Sequence, residues 1–555
     1  MANIKIMSLG GLGENGKNLT VVEVDKKIFI LDAGMRYPDI DMYGVDQVIP
    51  NIDYLIKNKN NIQGIFISHG HDENVGAVPY LLKHLQTKVY ASHFTISVIE
   101  AMLIEDHMKI KDYKLYRVNA NRVMKFCDVE VSFFHTSHSL PESLGFAINT
   151  KDGSIVYCTD FNFCTTSGEK YQTTFDKITD LGKKKVLALL SESVNAGMTG
   201  RITNDTLLEH HYKSILLKNK KRIFVTCYVS DLIRIQKIID LSVADNRKVC
   251  VLSKKTERIF TVASSSKYLN IPEESLLNVT DYSKEELEKL ENVVIIIAGT
   301  RNEPYHIMSK MVLDEEFNIK FNNQDKLVVM CPPAPGIEKL ASDTINILSE
   351  YDIDYEVFDR NILRSQHASP EDLKLLYSML KPQFIIPIKG EYRQMYDQFL
   401  VAKSLGYTKD NVILMDNGEV LLINDGKVLE EREEIACGDI FIDGSSIGVV
   451  DSDVIAERSI LAEEGAIFVY CVIDLRLRQI HGDITVKTRG FTHSFTTEEL
   501  TNVISGLTEK IINNSLKKKT WSKEDVEACV SEETRKLITR FTRHRPVVVP
   551  VFLEI

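Results

Sequence analysis

The chain has 555 residues, 67 Lys+Arg against 78 Asp+Glu for a net charge of −11, 44% hydrophobic and 26% charged residues, and nine cysteines. At about 100–200 residues per domain the length predicts roughly three or four domains, and the composition excludes a disordered, collagenous or membrane-spanning chain, with no apolar run near the roughly 18 residues of a bilayer span. The acidic balance disfavours polyanion binding through bulk charge, and the cysteines, odd in number and without a C-x-x-C pair, exclude a disulfide framework and a Cys-rich zinc site.

The opening MANIKIMSLGG lacks the layout of a signal peptide, so the expected location is the cytoplasm, with no membrane partner. Up to about residue 190 the chain reads as short β-rich runs: NLTVVEVDKKIFILDAG, GIFISHGH, KVYAS, DVEVSFFHTSH, GFAINTKDGSIVYCTD and VLALLSES. VEVDKKIFILD pairs two apolar runs through a tight charged turn, a hairpin signal, and VGAVPYLLKHLQ carries helical spacing. The alternation predicts a layered α/β domain. Between 205 and 355 the rhythm changes to helix and continuously apolar strand, as in RIFVTCYVS, VVIIIAG and LVVMCPPAP, which suits a parallel sheet covered on both faces. The stretch 356–425 returns to the first style, with EDLKLLYSML as a helix and FIIPIKGE as a strand and turn. The predicted organisation is a split domain over 1–204 and 356–425, an insert over 205–355, a charged linker over 426–449 and a small α+β domain over 450–555.

Candidate chemistry concentrates at strand ends. In FISHGHDEN, His69 and His71 follow a buried strand two residues apart, so their rings point alike and can converge on one metal. Asp32 in ILDAG, His138 in FFHTSHS and Asp160 in YCTDF end other strands with ligand types, which predicts a cluster at one sheet edge. Asp39, Asp41 and Asp443 offer oxygens to a hard structural divalent cation, against the blander reading of solvated carboxylates. LGGLGENGKN has no Gly-Lys-Ser/Thr ending and is not a nucleotide P-loop.

Taken together, LGGLGENGKN, Asp32, SHGHDEN, TSHSLPES, CTDFNF and SESVNA resemble the successive motifs of the metallo-β-lactamase fold in its β-CASP, nucleic-acid-processing branch. YVSDLIR, AGTRNEP, RSQHASPEDLKLL and IPIKGEYR resemble the insert and closing motifs of bacterial ribonuclease J, in order and over essentially the whole chain. The resemblance is strongest to the second, less active paralogue of Gram-positive bacteria. It implies an αββα sandwich interrupted by a β-CASP insert, with a C-terminal oligomerisation domain. It also implies that His69, His71, His138 and Asp160 hold zinc or manganese, at most one well-formed site, with Asp160 and His367 as the catalytic pair.

Departures from the family pattern fall on the second metal. The family's H-x-H-x-D-H reads His69-Gly-His71-Asp72-Glu73-Asn74 here, and the histidine of its P-V-H-G-E is Lys389. Two-metal hydrolysis uses a pair of cations, and an ammonium has donors but no acceptor, so one reading has Lys389 stand where a cation would and bond Asp160 or Glu73, and the equal alternative is a solvated strand-end lysine. The phosphate-binding loops are Tyr228-Val-Ser230-Asp231-Leu-Ile-Arg234 and Leu363-Arg364-Ser365-Gln366-His367, and the family's G-S-Q-G-E loop is Gly299-Thr-Arg-Asn-Glu303. Ser230, Arg234, Ser365 and His367 can donate to phosphate; Asp231 places a negative charge beside it, and Leu363 removes a polar partner. The resemblance then implies a 5′-to-3′ exoribonuclease, with endonuclease activity as a further expectation, in rRNA and mRNA maturation and decay. Its activity is expected to be weak alone, on single-stranded RNA, in homo-oligomers and in hetero-oligomers with an active paralogue within an RNA-degradation complex. The alternative is a catalytically silent, RNA-binding structural subunit.

Overall fold

The computed structural model describes the chain except for residues 1, 40–41, 165–167, 201–205, 253–257, 315–318, 335, 360–361, 364, 432, 445, 451, 492–496 and 519. It separates into two bodies, Met1–Tyr37 with Gln47–Ile440, and Pro38–Asp46 with Phe441–Ile555.

The first body is built on two facing sheets. One runs in the order Lys427–Val428, Glu419–Asn424, Asn3–Gly10, Leu19–Val24, Lys27–Leu31, Ile62–Phe66, Lys88–Ala91 and Lys114–Arg117, with Glu433–Glu434 pairing off this path. The other runs Phe384–Ile388, Val186–Glu192, Gly153–Cys158, Leu144–Thr150, Val129–His135 and Val123–Phe126. The predicted hairpin is present: Asp25 and Lys26 take φ of 46° and 68°, the left-handed pair that a tight turn between twisted strands requires. Inward-facing residues of both sheets form one aromatic-rich core, with Phe66 stacked on Tyr90 at 4.9 Å and Phe29 edge-on to Phe126 at 5.4 Å. A second core covers the outer face of the shorter sheet with helices Phe175–Gly182, Pro370–Leu380 and Tyr392–Ser404. Helices Val78–Leu85 and His93–Glu105 bury apolar residues beside the longer sheet. This is the expected αββα sandwich.

The insert contributes a parallel sheet in the order Lys248–Leu252, Val293–Gly299, Arg222–Tyr228, Lys326–Val329 and Asp354–Val357. Every residue of Val293–Gly299 is buried, as its unbroken apolar sequence requires of a strand covered on both faces. At the start of the central strand, Arg222 is 1% exposed and its guanidinium grips Asp325 with two bonds, Nε to Oδ1 at 2.9 Å and Nη2 to Oδ2 at 2.6 Å. Two further N–H groups donate to the carbonyls of Leu287 and Lys320, both at 2.9 Å.

In the second body, strand Ala466–Asp474 lies between Gln479–Arg489, antiparallel, and Val547–Glu554, parallel. Ile467, Val469, Cys471 and Ile473 alternate along it toward the helices Thr497–Leu516 and Lys523–Thr542. Trp521 packs against this core while its indole N–H donates to Glu554 at 2.7 Å. Among the described residues no helix is long and apolar enough to cross a membrane.

Candidate metal centre

Strand ends from both sheets of the first body meet at one edge, and the turns there are sharp. Asp32, Asp160 and Lys389 each follow a strand directly or by one residue and take φ of 59°, 50° and 53°, the left-handed region that L-residues rarely adopt. Such conformations cost on the order of 1–3 kcal/mol each and persist where surrounding contacts fix them. The segment Asp72–Asn74 passes so close to the ILDAG turn that a Cβ on Gly34 would lie 1.6 Å from the Glu73 carbonyl oxygen, so only glycine fits. In return, Asn18, Ala33 and Met35 donate backbone N–H groups to the carbonyls of Glu73, Asn74 and Asp72 at 3.1, 2.8 and 2.9 Å.

His69, His71 and His138 converge. His71 Nδ1 lies 3.1 Å from His69 Nε2 and 3.2 Å from His138 Nε2. The opposite ring nitrogen of each is committed to an acceptor. His138 Nδ1 meets the Gln366 carbonyl at 2.9 Å, and His71 Nε2 meets the Ser230 carbonyl at 3.1 Å. His69 Nδ1 meets Ser68 Oγ at 2.9 Å, and that hydroxyl donates its own proton to Asp32 at 2.9 Å. A carbonyl can only accept, so these partners fix the tautomers and turn the three unprotonated nitrogens toward one point. Three lone pairs facing one another repel unless a positive charge sits between them. The donor set therefore fits a zinc or manganese ion, with outer partners that orient each ring as metal-bound histidines require.

The electrostatics agree. Burial pushes His69 down to about 3 and His138 well below the ordinary histidine value, so both rings are neutral. For His71 burial also opposes charge, but Glu73, 3.5 Å from Nδ1, together with Asp160 and the Ser230 carbonyl, outweighs it and raises the pKa, so without a metal this ring is the one that takes up a proton in the ion's place. The cluster thus draws positive charge to the position where a metal would bind.

Asp160 is completely buried, and three cationic or donor groups surround it. Lys389 Nζ bonds its Oδ2, Thr159 Oγ1 donates to the same oxygen at 2.9 Å, and His367 Nδ1 stands 3.3 Å from Oδ1. Burial penalises the carboxylate, but Lys389 and His69 hold its pKa well below the usual range. Lys389 also donates to Asn74 Oδ1 at 3.1 Å and lies 3.7 Å from Glu73. His367 Nδ1 is 2.6 Å from Glu192 Oε2, and Glu192 Oε1 accepts the backbone N–H groups of Phe161 at 2.7 Å and Ala368 at 3.2 Å. Burial lowers the His367 pKa, but Glu192 and Asp160 prevail and push it up to about 10.

Several sequence-based expectations are redistributed. Among the described residues Asp32 joins none of the groups that could hold a metal. It accepts from Ser68 N, Ser68 Oγ, Asn74 Nδ2 and Tyr157 OH, and burial pushes its pKa up to about 6 in spite of them. Asp231 does not present a bare negative charge: it caps the helix Leu232–Ala244 and pairs with Arg234 at 3.0 Å. Leu363 is buried, Ser365 Oγ accepts from Asn195, and Gln366 spends its carbonyl on His138. Arg364 and Asp41 lie outside the described residues. Asp443 is bound to Arg458 at 2.6 Å, and no metal-capable group among the described residues includes Asp39 or Asp443. Sequence reasoning missed Glu192 and Ser68; each lies within a quoted motif, but nothing in one sequence distinguishes a strand-end Glu or Ser that faces a site from one that does not.

A cavity of about 430 Å³ opens on His71, His138 and His367, and is walled by Ser230, Arg234 and Arg301 from the insert. A larger one, of about 670 Å³ beside Tyr392, Tyr396 and Lys409, brings no such cluster together.

Comparison with known proteins agrees with this architecture. Residues 220–348 match the ribonuclease J β-CASP domain, 453–555 the ribonuclease J C-terminal domain, and 40–179 the β-lactamase superfamily domain. The chain is 33% identical to ribonuclease J 2 of Staphylococcus epidermidis, over all of this chain and 98% of that one. The chain belongs to the ribonuclease J family. It is likewise 33% identical to ribonuclease J 2 of Streptococcus pyogenes over the full length of both, and 32% identical to that of Staphylococcus aureus over all of this chain and 98% of the other. A crystal structure of a protein of unknown function from Enterococcus faecalis covers 76% of this chain and 100% of its own at a TM-score of 0.53 and 16% identity, a likeness of fold. Within the ribonuclease J family the fold implies a divalent metal, and the three-histidine cluster is where this chain's residues suit one.

Proposed function

We propose that the chain is a metal-dependent ribonuclease that hydrolyses single-stranded RNA from the 5′ end, slowly by itself, and that contributes mainly within a hetero-oligomer with an active paralogue in RNA maturation and decay. The observation that carries this reading is the set of three tautomer-locked histidines opening on the insert-walled cavity. His69, His71 and His138 would hold the metal, with Asp160 beside them. A bound ion supplies positive charge and acidifies water next to the scissile phosphate. The protein's own residues do the rest. His367, kept protonated between Glu192 and Asp160, is placed to give a proton to the departing oxygen. Ser230, Arg234 and Arg301 face the cavity from the insert, where backbone phosphates can lie.

The slow rate is supported by charge. Arg234 and Arg301 share the cavity wall with Asp72, Glu73 and Asp231, so the wall is a weak attractor for a polyanion. Glu192→Gln is expected to lower the turnover of RNA about 100-fold with little change in KM, the size of effect that general-acid catalysis contributes, because His367 loses the charge that keeps it protonated. The high-pH limb of the rate profile should move to lower pH in the same variant. The test of the whole reading compares the purified chain, the paralogue and their mixture on 5′-monophosphorylated RNA. Weak cleavage alone and a mixture faster than the sum supports it; no cleavage by the chain under any metal leaves the silent RNA-binding subunit as the correct description.

A further inference from the structure

We infer that the ammonium of Lys389 occupies the position of a second metal ion, so that this chain holds one catalytic ion rather than two. The inference rests on the reading of the chain as a metal-dependent ribonuclease and specifies its metal content. Among the described residues three groups of side chains have ligand atoms mutually within 4.8 Å: His69, His71 and His138; His69, Glu73 and Asp160; and Asp160, Glu192 and His367. They differ in what already lies between the ligands.

In the first group the three ring nitrogens face one another with no side-chain cation between them. In the third, the imidazole of His367 already stands against both carboxylates: its Nδ1 bonds Glu192 at 2.6 Å and lies 3.3 Å from Asp160 Oδ1, an oxygen that accepts no hydrogen bond among the described residues. In the second group the bridge is Lys389. Its Nζ bonds Asp160 Oδ2, donates to Asn74 Oδ1 at 3.1 Å and lies 3.7 Å from Glu73 Oε1. An ammonium has three N–H donors and no lone pair, so it satisfies three acceptors as a cation does and coordinates nothing.

The plug is built in. The Lys389 side chain is 3% exposed, and Ser193 holds its carbonyl with Oγ at 2.9 Å and N at 3.2 Å. Removing Lys389 would leave two carboxylates and an amide oxygen facing one another without a cation. A divalent ion entering beside Lys389 would meet a fixed positive charge and compete for the same Asp160 oxygen. The residues present therefore suit a metal at the three histidines and do not suit one at Glu73 and Asp160.

Metal content of the full-length chain tests this. Chelator-stripped protein is equilibrated with Mn²⁺, counted by mass spectrometry and examined by electron paramagnetic resonance. Wild type and Lys389→Arg are expected to hold one ion per chain with the spectrum of an isolated ion. Lys389→Ala and Lys389→Gln are expected to hold two, with the spectrum of a coupled pair. Two coupled ions in the wild type would overturn the inference whatever the variants do. So would one ion in both neutral variants once circular dichroism shows them folded. RNA cleavage measured on the same wild-type sample separates the two proposals: two ions with cleavage overturns the plug alone, and one ion without cleavage overturns the ribonuclease reading alone.

Discussion

His69→Ala/His71→Ala is expected to hydrolyse RNA at the rate of a metal-free blank while keeping the native fold. The two rings supply two of the three nitrogens that face one point, and His71 is the partner within 3.2 Å of both others. With them gone, His138 alone cannot hold an ion; the cluster of Glu73 and Asp160 also loses His69 and is occupied by Lys389, and in the one remaining group among the described residues, Asp160, Glu192 and His367, the imidazole already bonds Glu192. The fold should survive, because the rings lie past the end of strand Ile62–Phe66 and not in the aromatic core between the sheets. Melting temperature and RNA cleavage, measured on one preparation, check both parts. Cleavage by the variant at the wild-type rate would mean that the activity comes from elsewhere.

The largest expected effect on stability is at the other end of the insert. Arg222→Met is expected to cost about 3–5 kcal/mol, the usual penalty for breaking a buried ion pair, because Asp325 would keep its burial and lose its partner. Burial already raises the Asp325 pKa despite Arg222, so the lone carboxyl would take up a proton or drag water into the sheet. Arg222→Met/Asp325→Leu should recover part of the loss. Recovery stays partial because the carbonyls of Leu287 and Lys320 lose the N–H groups that they accept from Arg222. Denaturant unfolding of the two variants, followed by a probe in the insert, reads both changes. A single substitution that costs under about 1 kcal/mol would show that water satisfies Asp325 without Arg222.

What the sequence made legible follows from local rules. The strand-end histidines were visible because a period of two puts His69 and His71 on one side of a chain leaving a buried strand. The insert was visible because continuous apolar runs such as VVIIIAG need a sheet covered twice. The roles of Asp32 and Asp231 were not. Both depend on what stands across from the carboxylate: Ser68, Asn74 and Tyr157 for Asp32, and Arg234 with a helix N-terminus for Asp231. Lys389 was legible as a departure from a family motif, with Asp160 or Glu73 as its expected partner; it bonds Asp160 and lies 3.7 Å from Glu73. Glu192 went unseen because its function is to hold His367, 175 residues away. The net charge of −11 says little by itself about the cavity, whose wall carries acidic and basic groups together.

RNA cleavage by this chain is expected to depend on a metal ion held by His69, His71 and His138. Initial rates of cleavage of a 5′-monophosphorylated single-stranded RNA, measured as Mn²⁺ is returned to chelator-stripped protein, test it most directly. The expected rate starts at background and saturates as the first ion binds. A stripped chain that cleaves as fast as the loaded one would contradict it.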